Sequence, residues 1–371
     1  MNDLPNATLG TEPSVGLEDA QLGTADRKSK PQSRPAEFHS PTPMHVLVTG
    51  GAGFIGGHLA EAFTADGHDV TVLDNLEPFY DVGIKRHTID TCREVASQGD
   101  GHYTFVEGDV RDDEQVVELV DEADVVYHQA AQAGVRTSVE DPKKPNSINV
   151  TGTMNVLEAA RHTDLERVVL ASSSSVYGVP ESLPYQEDQR KRPTSPYGVS
   201  KLAGEEYARV FHDVYGLPTV SLRYFTVYGP RMRPNMAISN FVSRCLNGEP
   251  PVIYGDGKQT RDFTHVTDVV DVNRQLLTDD AADGEALNVG STDTITITDL
   301  AETVRDAVDP DIEIVYDEAR AGDARHTHAD VSKATRLLGY EPSTSITEGV
   351  GSFLEWYRTN RDWYEPLVRR S

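Results

Sequence analysis

Cysteine is nearly absent from this sequence. Cys92 and Cys245 are the only two cysteines among 371 residues, and they lie far apart in the chain. They lack the spacing of metal ligands. We therefore expect two reduced thiols, no bound metal and a cytoplasmic protein.

Long apolar runs are missing as well. The chain has no run of about 18 apolar residues, which a membrane-spanning helix needs. Its first residues lack the charged-then-apolar pattern of a secretory signal. We expect no membrane span and no signal peptide. With 37% hydrophobic and 25% charged residues, the composition is that of a globular protein with one large domain or two ordinary ones.

Basic residues are scarce. There are 34 of them against 60 acidic residues, which gives a formal net charge of −26, and only nine are lysine. Nucleic acid and anionic membranes repel such a chain, so we expect neither as a partner. A carboxylate-rich surface with little lysine also indicates adaptation to high salt, where screening removes the self-repulsion. We therefore expect a halophilic protein.

Residues 1–43 have little apolar content. They are rich in Pro, Ser, Thr, Asp, Glu and Gly, and Phe38 is their only aromatic residue. Because such a segment buries too little apolar surface to offset its ordering entropy, we expect a disordered tail. Met44 directly precedes the first predicted strand, and we expect the natural start there or a dispensable tail before it.

From Met44 onward, short apolar runs alternate with helical patterns. We predict strands at 45–49, 70–73, 103–107, 124–128, 167–171 and 219–223, and helices near 54–66, 84–97, 112–121, 147–161 and 198–215. The strands are rich in Val and Leu and apolar on both faces, as in a parallel sheet covered by helices. This predicts an α/β fold, a Rossmann-type doubly wound parallel sheet.

The rhythm changes after about residue 225, where turn-forming residues dominate. We expect a nucleotide-binding domain over 44–225 and a smaller mixed α/β substrate domain over 226–371. The second domain is expected to lie at the carboxyl ends of the strands. A predicted helix from Val266 to Leu277 and a predicted strand at 286–289 suggest that 265–290 returns to the first domain.

Glycine is concentrated in one stretch that follows the first strand. Gly50, Gly53 and Gly56 stand between the strand and a helical pattern that begins with Phe54 and Ile55. Strand, glycine turn and helix form the context of a dinucleotide site, because backbone and helix N-terminus can approach a pyrophosphate closely. A plain glycine turn is an equally good interpretation of this stretch alone.

Three further strand ends fit a dinucleotide. Asp74 follows the second strand at the offset of a carboxylate that binds the adenosine ribose, which favours NAD over NADP. Asp109 follows the third strand, where it accepts a hydrogen bond from adenine or caps the next helix. Ala130 and Ala131 follow the fourth, and their small side chains let a flat ligand lie on the backbone.

Together these motifs resemble the extended short-chain dehydrogenase/reductase family, and within it the nucleotide-sugar epimerases and dehydratases. The resemblance rests on the segments 49–56, 74–76, 108–112 and 128–131 and covers about residues 44–350. It implies bound NAD and a homodimer. It also implies further cofactor contacts, which are Asn75, Val110, Asn149 and Phe225.

Tyr197 and Lys201 stand four residues apart, on one face of the last predicted helix of the first domain. A nearby ammonium stabilises a phenolate, so this pair suits proton abstraction. A second Tyr-x-x-x-Lys pair, Tyr254 and Lys258, lies in a glycine-rich turn and is rejected for that reason. Both Tyr197 and Lys201 are also expected to contact the cofactor.

Hydroxyl groups end the fifth predicted strand in a serine run. By resemblance, Ser173 is the catalytic hydroxyl, and the next two positions carry an acid pair in the dehydratases. Here those positions are Ser174 and Ser175, so we expect redox epimerisation and no dehydration. The family mechanism implies that Tyr197 takes the proton of the sugar 4-hydroxyl, that NAD takes the C4 hydride, and that the 4-keto sugar turns before the hydride returns.

Arginines are expected to bind the substrate diphosphate, because a guanidinium pairs bidentately with phosphate. By resemblance, the nucleotide-sugar contacts of the second half are Arg233, Arg261, Arg320 and Asp323. We predict interconversion of UDP-glucose and UDP-galactose. UDP-glucuronate stays open, because Arg136 and Ser173–Ser175 can hold a C6 carboxylate. Dehydration or decarboxylation and a non-catalytic NAD sensor are the remaining alternatives; Ser173, Tyr197 and Lys201 argue against the sensor.

Overall fold

A computed structural model describes residues 42–179, 181–318 and 325–369. The predicted disordered tail falls almost entirely outside these residues. The first half of the described chain alternates strands and helices: β1 (His45–Thr49), α1 (Phe54–Ala65), β2 (Asp69–Asp74), α2 (Val82–Gln98), β3 (His102–Glu107), α3 (Asp113–Asp121), β4 (Val125–His128), α4 (Val135–Glu140), α5 (Lys143–Pro145), a π-helical turn (Asn146–Thr151), α6 (Gly152–Ala160), β5 (Arg167–Ser173), a 3-10 turn (Ser174–Val176), α7 (Pro196–Tyr215) and β6 (Thr219–Tyr224).

The second half is less regular and has shorter strands. Its elements are β7 (Thr226–Tyr228), α8 (Ala237–Leu246), β8 (Val252–Tyr254), β9 (Thr260–Arg261), β10 (Phe263–His265), α9 (Val266–Gln275), β11 (Ala286–Val289), β12 (Ile295–Thr296), α10 (Ile297–Val308), β13 (Val315–Asp317), α11 (Ser332–Leu338), α12 (Ile346–Thr359) and α13 (Arg361–Val368). Three two-stranded sheets pair β10 with β7, β12 with β9 and β13 with β8.

One seven-stranded sheet carries the fold, in the order β11-β6-β5-β4-β1-β2-β3. Every pairing within it is parallel. Central strands such as β4 and β5 are buried along their whole length, which explains the apolar runs Val125–Tyr127 and Val168–Ala171 within them. The predicted doubly wound α/β fold is confirmed.

The strand order reverses at β1. The chain runs from β1 outward through β2 and β3, and then returns to place β4 on the other side of β1. A crevice therefore opens at the carboxyl ends of β1 and β4, where open α/β sheets bind their ligands. The glycine turn follows β1 and the Ala130–Ala131 segment follows β4, so both border this crevice.

Local capping explains where the predicted helices begin and end. Asp81 accepts a hydrogen bond from the Gly83 N–H group, so α2 begins at Val82, two residues earlier than predicted. Ser195 caps α7, Pro196 occupies its first turn, and Gly216 ends it in the left-handed conformation at φ 73°. The helix predicted over 147–161 opens with the π-helical turn, which its apolar spacing does not reveal.

Neither a membrane span nor a metal cluster occurs in the described parts of the chain. Among residues 42–179, 181–318 and 325–369, no helix combines the length and the apolar character needed to cross a bilayer. The same residues bring together no group of three or more His, Cys, Asp or Glu side chains with the geometry of a metal site.

Candidate active site

A cavity of about 1480 Å³ opens at the crevice. Typical small-molecule pockets span about 300–1,000 Å³, so this cavity has room for two ligands side by side. With the exception of Asn149, all predicted site residues that the structure describes line it: Gly50, Gly53, Phe54, Ile55, Gly56, Asp74, Asn75, Asp109, Val110, Ala130, Ala131, Arg136, Ser173, Ser174, Ser175, Tyr197, Lys201, Phe225, Arg233 and Arg261. Arg320 and Asp323 lie outside the described residues.

The glycine turn forms a tight backbone cradle at one end of the cavity. Gly50 has φ 69°, and a Cβ atom there would lie 2.6 Å from the backbone nitrogen of Ala130. A Cβ atom on Gly56 would collide with the carbonyl oxygen of Gly50. Helix α1 begins directly after the turn, and its N-cap residue, Gly53, has no side chain to cap the first N–H groups. The cradle thus offers free N–H groups to an anion, which fits a pyrophosphate.

Asp74 lies at the end of β2 and is almost fully buried. Its carboxylate accepts hydrogen bonds from the N–H groups of Ala52 and Leu76. Lys85, on α2, forms an ion pair with it at 3.0 Å and also lines the cavity. The sequence interpretation missed Lys85. Little in the sequence indicates this lysine, because only the fold places the start of α2 beside the end of β2.

Asp109 is held by its own neighbours. Arg111 donates to both of its carboxylate oxygens, at 2.8 and 2.7 Å, and Asn75 donates at 2.8 Å. The hydrogen bonds from Arg111 hold the pKa of this carboxyl well below its usual range. Asp112, rather than Asp109, caps α3 by accepting from the Gln115 N–H group, so the capping alternative for Asp109 is wrong.

Asn149 lies one layer behind the cavity wall. Its side-chain oxygen accepts from the Gln132 N–H group at 2.7 Å, and its amide nitrogen donates to Ser200 at 2.9 Å. Gln132 belongs to the loop after β4, and Ser200 belongs to α7 between Tyr197 and Lys201. Asn149 therefore joins these two segments, and the cofactor contact implied by resemblance does not appear in the cavity lining.

Tyr197, Lys201 and Ser173 meet where α7 faces the end of β5. Ser173 hydrogen-bonds the Tyr197 phenol, and Lys201 donates to the carbonyl oxygen of Ala171 at 2.7 Å. Burial raises the pKa of Tyr197, an effect that the hydrogen bond from Ser173 and the charge of Arg233 oppose. Burial also lowers the pKa of Lys201 to about 8. The arrangement can move a proton at the Tyr197 oxygen.

The charge that favours the phenolate comes from an unexpected direction. The sequence pairs Tyr197 with Lys201, whereas in the structure Arg233 is the cation that lowers the Tyr197 pKa. Arg233 lies on the loop after β7, and its guanidinium sits over the ring of Phe79 at 5.5 Å. Phe79 and its neighbour Tyr80 line the cavity but carry no motif, so sequence reasoning missed them.

The remaining predicted contacts lie toward the other end of the cavity. Arg261 donates to the carbonyl oxygens of Thr260 and Arg325, at 2.9 and 3.3 Å, on β9 and the segment beside it. Arg136 is an exposed residue of α4 at the cavity rim. A hydroxyl-rich wall, a buried cation and rim arginines suit an anionic, hydroxylated ligand beside the dinucleotide cradle.

Comparisons with known proteins agree with this geometry. The sequence profile of the GDP-mannose 4,6-dehydratase family matches residues 47–353. The chain belongs to this family of extended short-chain dehydrogenases/reductases. The match runs from within β1 into α12, which confirms the resemblance that the motifs suggest.

Relatives within the family carry epimerase names. A putative UDP-glucose 4-epimerase of Methanocaldococcus jannaschii is 37% identical over 322 residues, which cover 85% of this chain and 99% of the relative. The crystal structure of UDP-glucuronic acid 4-epimerase from Bacillus cereus, in complex with UDP-glucuronic acid and NAD, is 35% identical. It superposes with a TM-score of 0.79 over 85% of this chain and 99% of that one.

A third relative has a different sugar in its crystal. UDP-glucose 4-epimerase from Thermotoga maritima, solved with UDP-glucose, is 32% identical and superposes with a TM-score of 0.78. The match covers 86% of this chain and all of that one. Two structures with nearly the same similarity to the present chain thus differ in the UDP-sugar bound in their crystals.

Proposed function

We propose that this protein is an NAD-dependent 4-epimerase of UDP-sugars, with UDP-glucose and UDP-galactose as the first substrate pair. The observation that carries the proposal is one shared cavity. The glycine cradle and Asp74 border one part of it, and Ser173, Tyr197 and Lys201 border another. The cradle admits no Cβ atom and Asp74 is a buried carboxylate, so these residues fit NAD.

Tyr197 is the proton-transfer group. Its phenolate takes the proton of the sugar 4-hydroxyl, and Ser173 orients that hydroxyl through its hydrogen bond to the phenol. When bound, NAD supplies the acceptor for the C4 hydride and later its donor. Lys201 keeps an ammonium at neutral pH, because its pKa lies near 8. The positive charge of Arg233 opposes the rise in the Tyr197 pKa that burial causes, and so favours the phenolate.

Dehydration does not fit this site. Expulsion of a sugar hydroxyl needs a general acid, and the two residues that follow Ser173 are Ser174 and Ser175. A serine hydroxyl is a poor proton donor at neutral pH. Epimerisation needs only the proton transfer and the redox step, for which the residues are present.

UDP-glucuronate is the second candidate, and Arg233 favours it. Within the described residues, its guanidinium contacts the Phe79 ring and donates to the Met236 sulfur at 3.5 Å, and neither partner is a carboxylate. A cation near Tyr197 without an acidic partner among those contacts is suited to a sugar carboxylate. Thr226 and the serine run add hydroxyl groups on the same cavity wall.

An activity assay with the purified protein distinguishes between these sugars. It is offered UDP-glucose, UDP-glucuronate and their N-acetylated relatives, and the products are identified by NMR. The Tyr197→Phe variant serves as the control: it should retain NAD and lose turnover by about 10²–10⁴-fold, the usual contribution of a proton-transfer group. An active Tyr197→Phe enzyme would contradict the proposal.

We further propose a homodimer formed through the outer face of α7. Val199, Tyr207, Val210 and Val214 share that face, and their exposed fractions are 54%, 39%, 37% and 64%. A stripe of exposed apolar side chains at helical spacing is typical of an interface. Light scattering coupled to gel filtration should give twice the monomer mass, and Val210→Asp should reduce it to the monomer.

The cellular setting is proposed on composition. Two buried free thiols support a cytoplasmic enzyme. The net charge of −26 supports adaptation to high salt. Unfolding curves between low and multimolar salt test the second point: we expect stability to rise with salt, and full stability at low salt would count against it.

A further inference from the structure

We propose that Phe79 is a positioning residue, whose ring holds the Arg233 guanidinium in place beside the catalytic Tyr197. The inference rests on the proposed epimerase function. Its geometric basis is the distance of 5.5 Å between the guanidinium carbon of Arg233 and the centre of the Phe79 ring. Cations within about 6 Å of a ring centre are attracted by its negative face, most strongly where water is excluded.

Arg233 depends on this ring because its other described contact is weak. The guanidinium donates to the Met236 sulfur at 3.5 Å, and a thioether is a poor acceptor. Within the described residues, the titratable groups that act on Arg233 are Tyr197 and Tyr80, and both are phenols. Phe79 is therefore the contact that fixes where this charge stands.

Phe79 and the loop that carries it, residues 75–81, are held by neighbouring segments of the chain. A Cβ atom at Gly134 would lie 3.4 Å from the tip of the Phe79 ring, and Gly134 has φ 111°, so the loop after β4 passes directly beside the ring. At the start of its own loop, Asn75 donates to Asp109, and Glu77 forms an ion pair with Lys144 at 2.7 Å. These contacts fix the loop of residues 75–81 to the cofactor side of the cavity.

The loop thus connects the two halves of the site. Its first residue, Asn75, follows Asp74, the predicted ribose contact, and four residues later the Phe79 ring lies under the Arg233 guanidinium. Tyr80, next to Phe79, is buried and has Lys85 over its ring at 5.9 Å. Because its loop is anchored on the cofactor side, Phe79 places the Arg233 guanidinium relative to that side. The charge of Arg233 in turn acts on Tyr197.

Loss of the ring has a predictable chemical consequence. Burial raises the pKa of Tyr197, and the Arg233 charge opposes that rise. In Phe79→Leu the guanidinium can turn away, so the phenol becomes harder to ionise. The Ser173 hydroxyl, which hydrogen-bonds the phenol, is unchanged. Because each unit of pKa changes the phenolate fraction tenfold, even a partial loss of the Arg233 charge should lower kcat at neutral pH several-fold.

The experiment compares Phe79→Leu with Phe79→Trp and Phe79→Tyr, all as NAD-loaded enzymes. In Phe79→Leu the acid limb of the pH profile of kcat should move to higher pH, whereas the aromatic variants should keep the profile of the wild type. NAD content should be equal in all four proteins. Tyr215→Leu is the matched control, since it removes a similar contact with Arg161, at 4.8 Å, on the exposed end of α7.

A second readout separates this inference from the proposed function. Ultraviolet titration of the enzyme minus that of Tyr197→Phe reports ionisation of Tyr197 directly, whether or not any sugar is turned over. An upward shift in Phe79→Leu supports the inference. An unshifted titration, or an equal shift in the aromatic variants, would overturn it. A wild-type enzyme inactive on every UDP-sugar would instead contradict the proposed function.

Discussion

The buried ion pair between Glu205 and Arg223 supports a sharp stability prediction. Glu205 lies one turn after Lys201 on α7, and Arg223 lies on β6. Two hydrogen bonds of 2.9 and 2.8 Å join the guanidinium to the two carboxylate oxygens. The Ser172 hydroxyl also donates to Glu205, and Arg223 donates to the Tyr177 hydroxyl at 2.8 Å.

The perturbation is Glu205→Gln, which removes the charge and retains the shape. The Arg223 and Glu205 side chains are only 2% and 5% exposed, so solvent cannot replace the lost partner. Breaking such a pair costs about 3–5 kcal/mol, because an uncompensated charge stays buried. For a chain of this length, that corresponds to a melting temperature lower by roughly 5–10 °C.

The neighbouring residue gives a matched control. Glu206 makes the same kind of contact, a 3.0 Å ion pair with Arg209, but the two side chains are 55% and 52% exposed. Glu206→Gln should change the urea midpoint little, because exposed pairs are screened. The double replacement of Glu205 and Arg223 by Met should recover most of the loss. Equal effects of the two Gln variants would refute the reasoning.

Three further predictions concern the cofactor, the pH profile and a buried carboxyl. In Gly56→Ala, the new methyl group collides with Gly50, and we expect the affinity for NAD, measured by calorimetry, to fall at least about tenfold. Gly351 has open space around it, so the control variant Gly351→Ala should bind NAD normally. Since burial lowers the pKa of Lys201 to about 8, kcat should decline as pH rises through that value, and a flat alkaline profile would contradict a role for its charge. Asp262→Asn should lose about 2 kcal/mol of stability, because both carboxylate oxygens accept backbone N–H groups. Burial raises the pKa of Asp262 to about 6, so protonation as the pH falls from 7 to 5 increases the free energy of unfolding of the wild type but not of the variant. The stability difference between the two proteins, measured by urea unfolding, should therefore grow as the pH falls.

The sheet and its flanking helices could be predicted because their pattern is local. Apolar runs and helical spacing locate strands β1–β6 and helices α1, α2, α3, α6 and α7 to within a few residues, since each of these segments carries its own apolar pattern. The short helices α4 and α5 were not predicted. In the second half, the predicted strand at 286–289 corresponds to β11, but the strands of two or three residues could not be located in this way. β9 has two residues, and its pairing with β12 depends on contacts between distant parts of the chain.

The candidate site was predictable where a motif fixes both residue type and place. The cradle around Gly50, the carboxylate of Asp74 and the pair Tyr197 and Lys201 all line one cavity. Phe79 was not predictable, because an aromatic residue in a loop has no spacing rule. Its role follows only from the fold, which brings the loops after β2 and β7 together.

The position of β11 limits how this protein can be divided. β11 pairs with β6, but residues 225–285 stand between these two strands in the chain. A fragment that ended near residue 225 would therefore expose the fully buried strand Thr219–Tyr224 as a bare sheet edge. Such an edge is a template for aggregation. Docking of this edge strand also closes a long excursion of the chain, and such non-local pairings form slowly. A stable cofactor-binding fragment would have to retain Ala286–Val289, whatever is removed between.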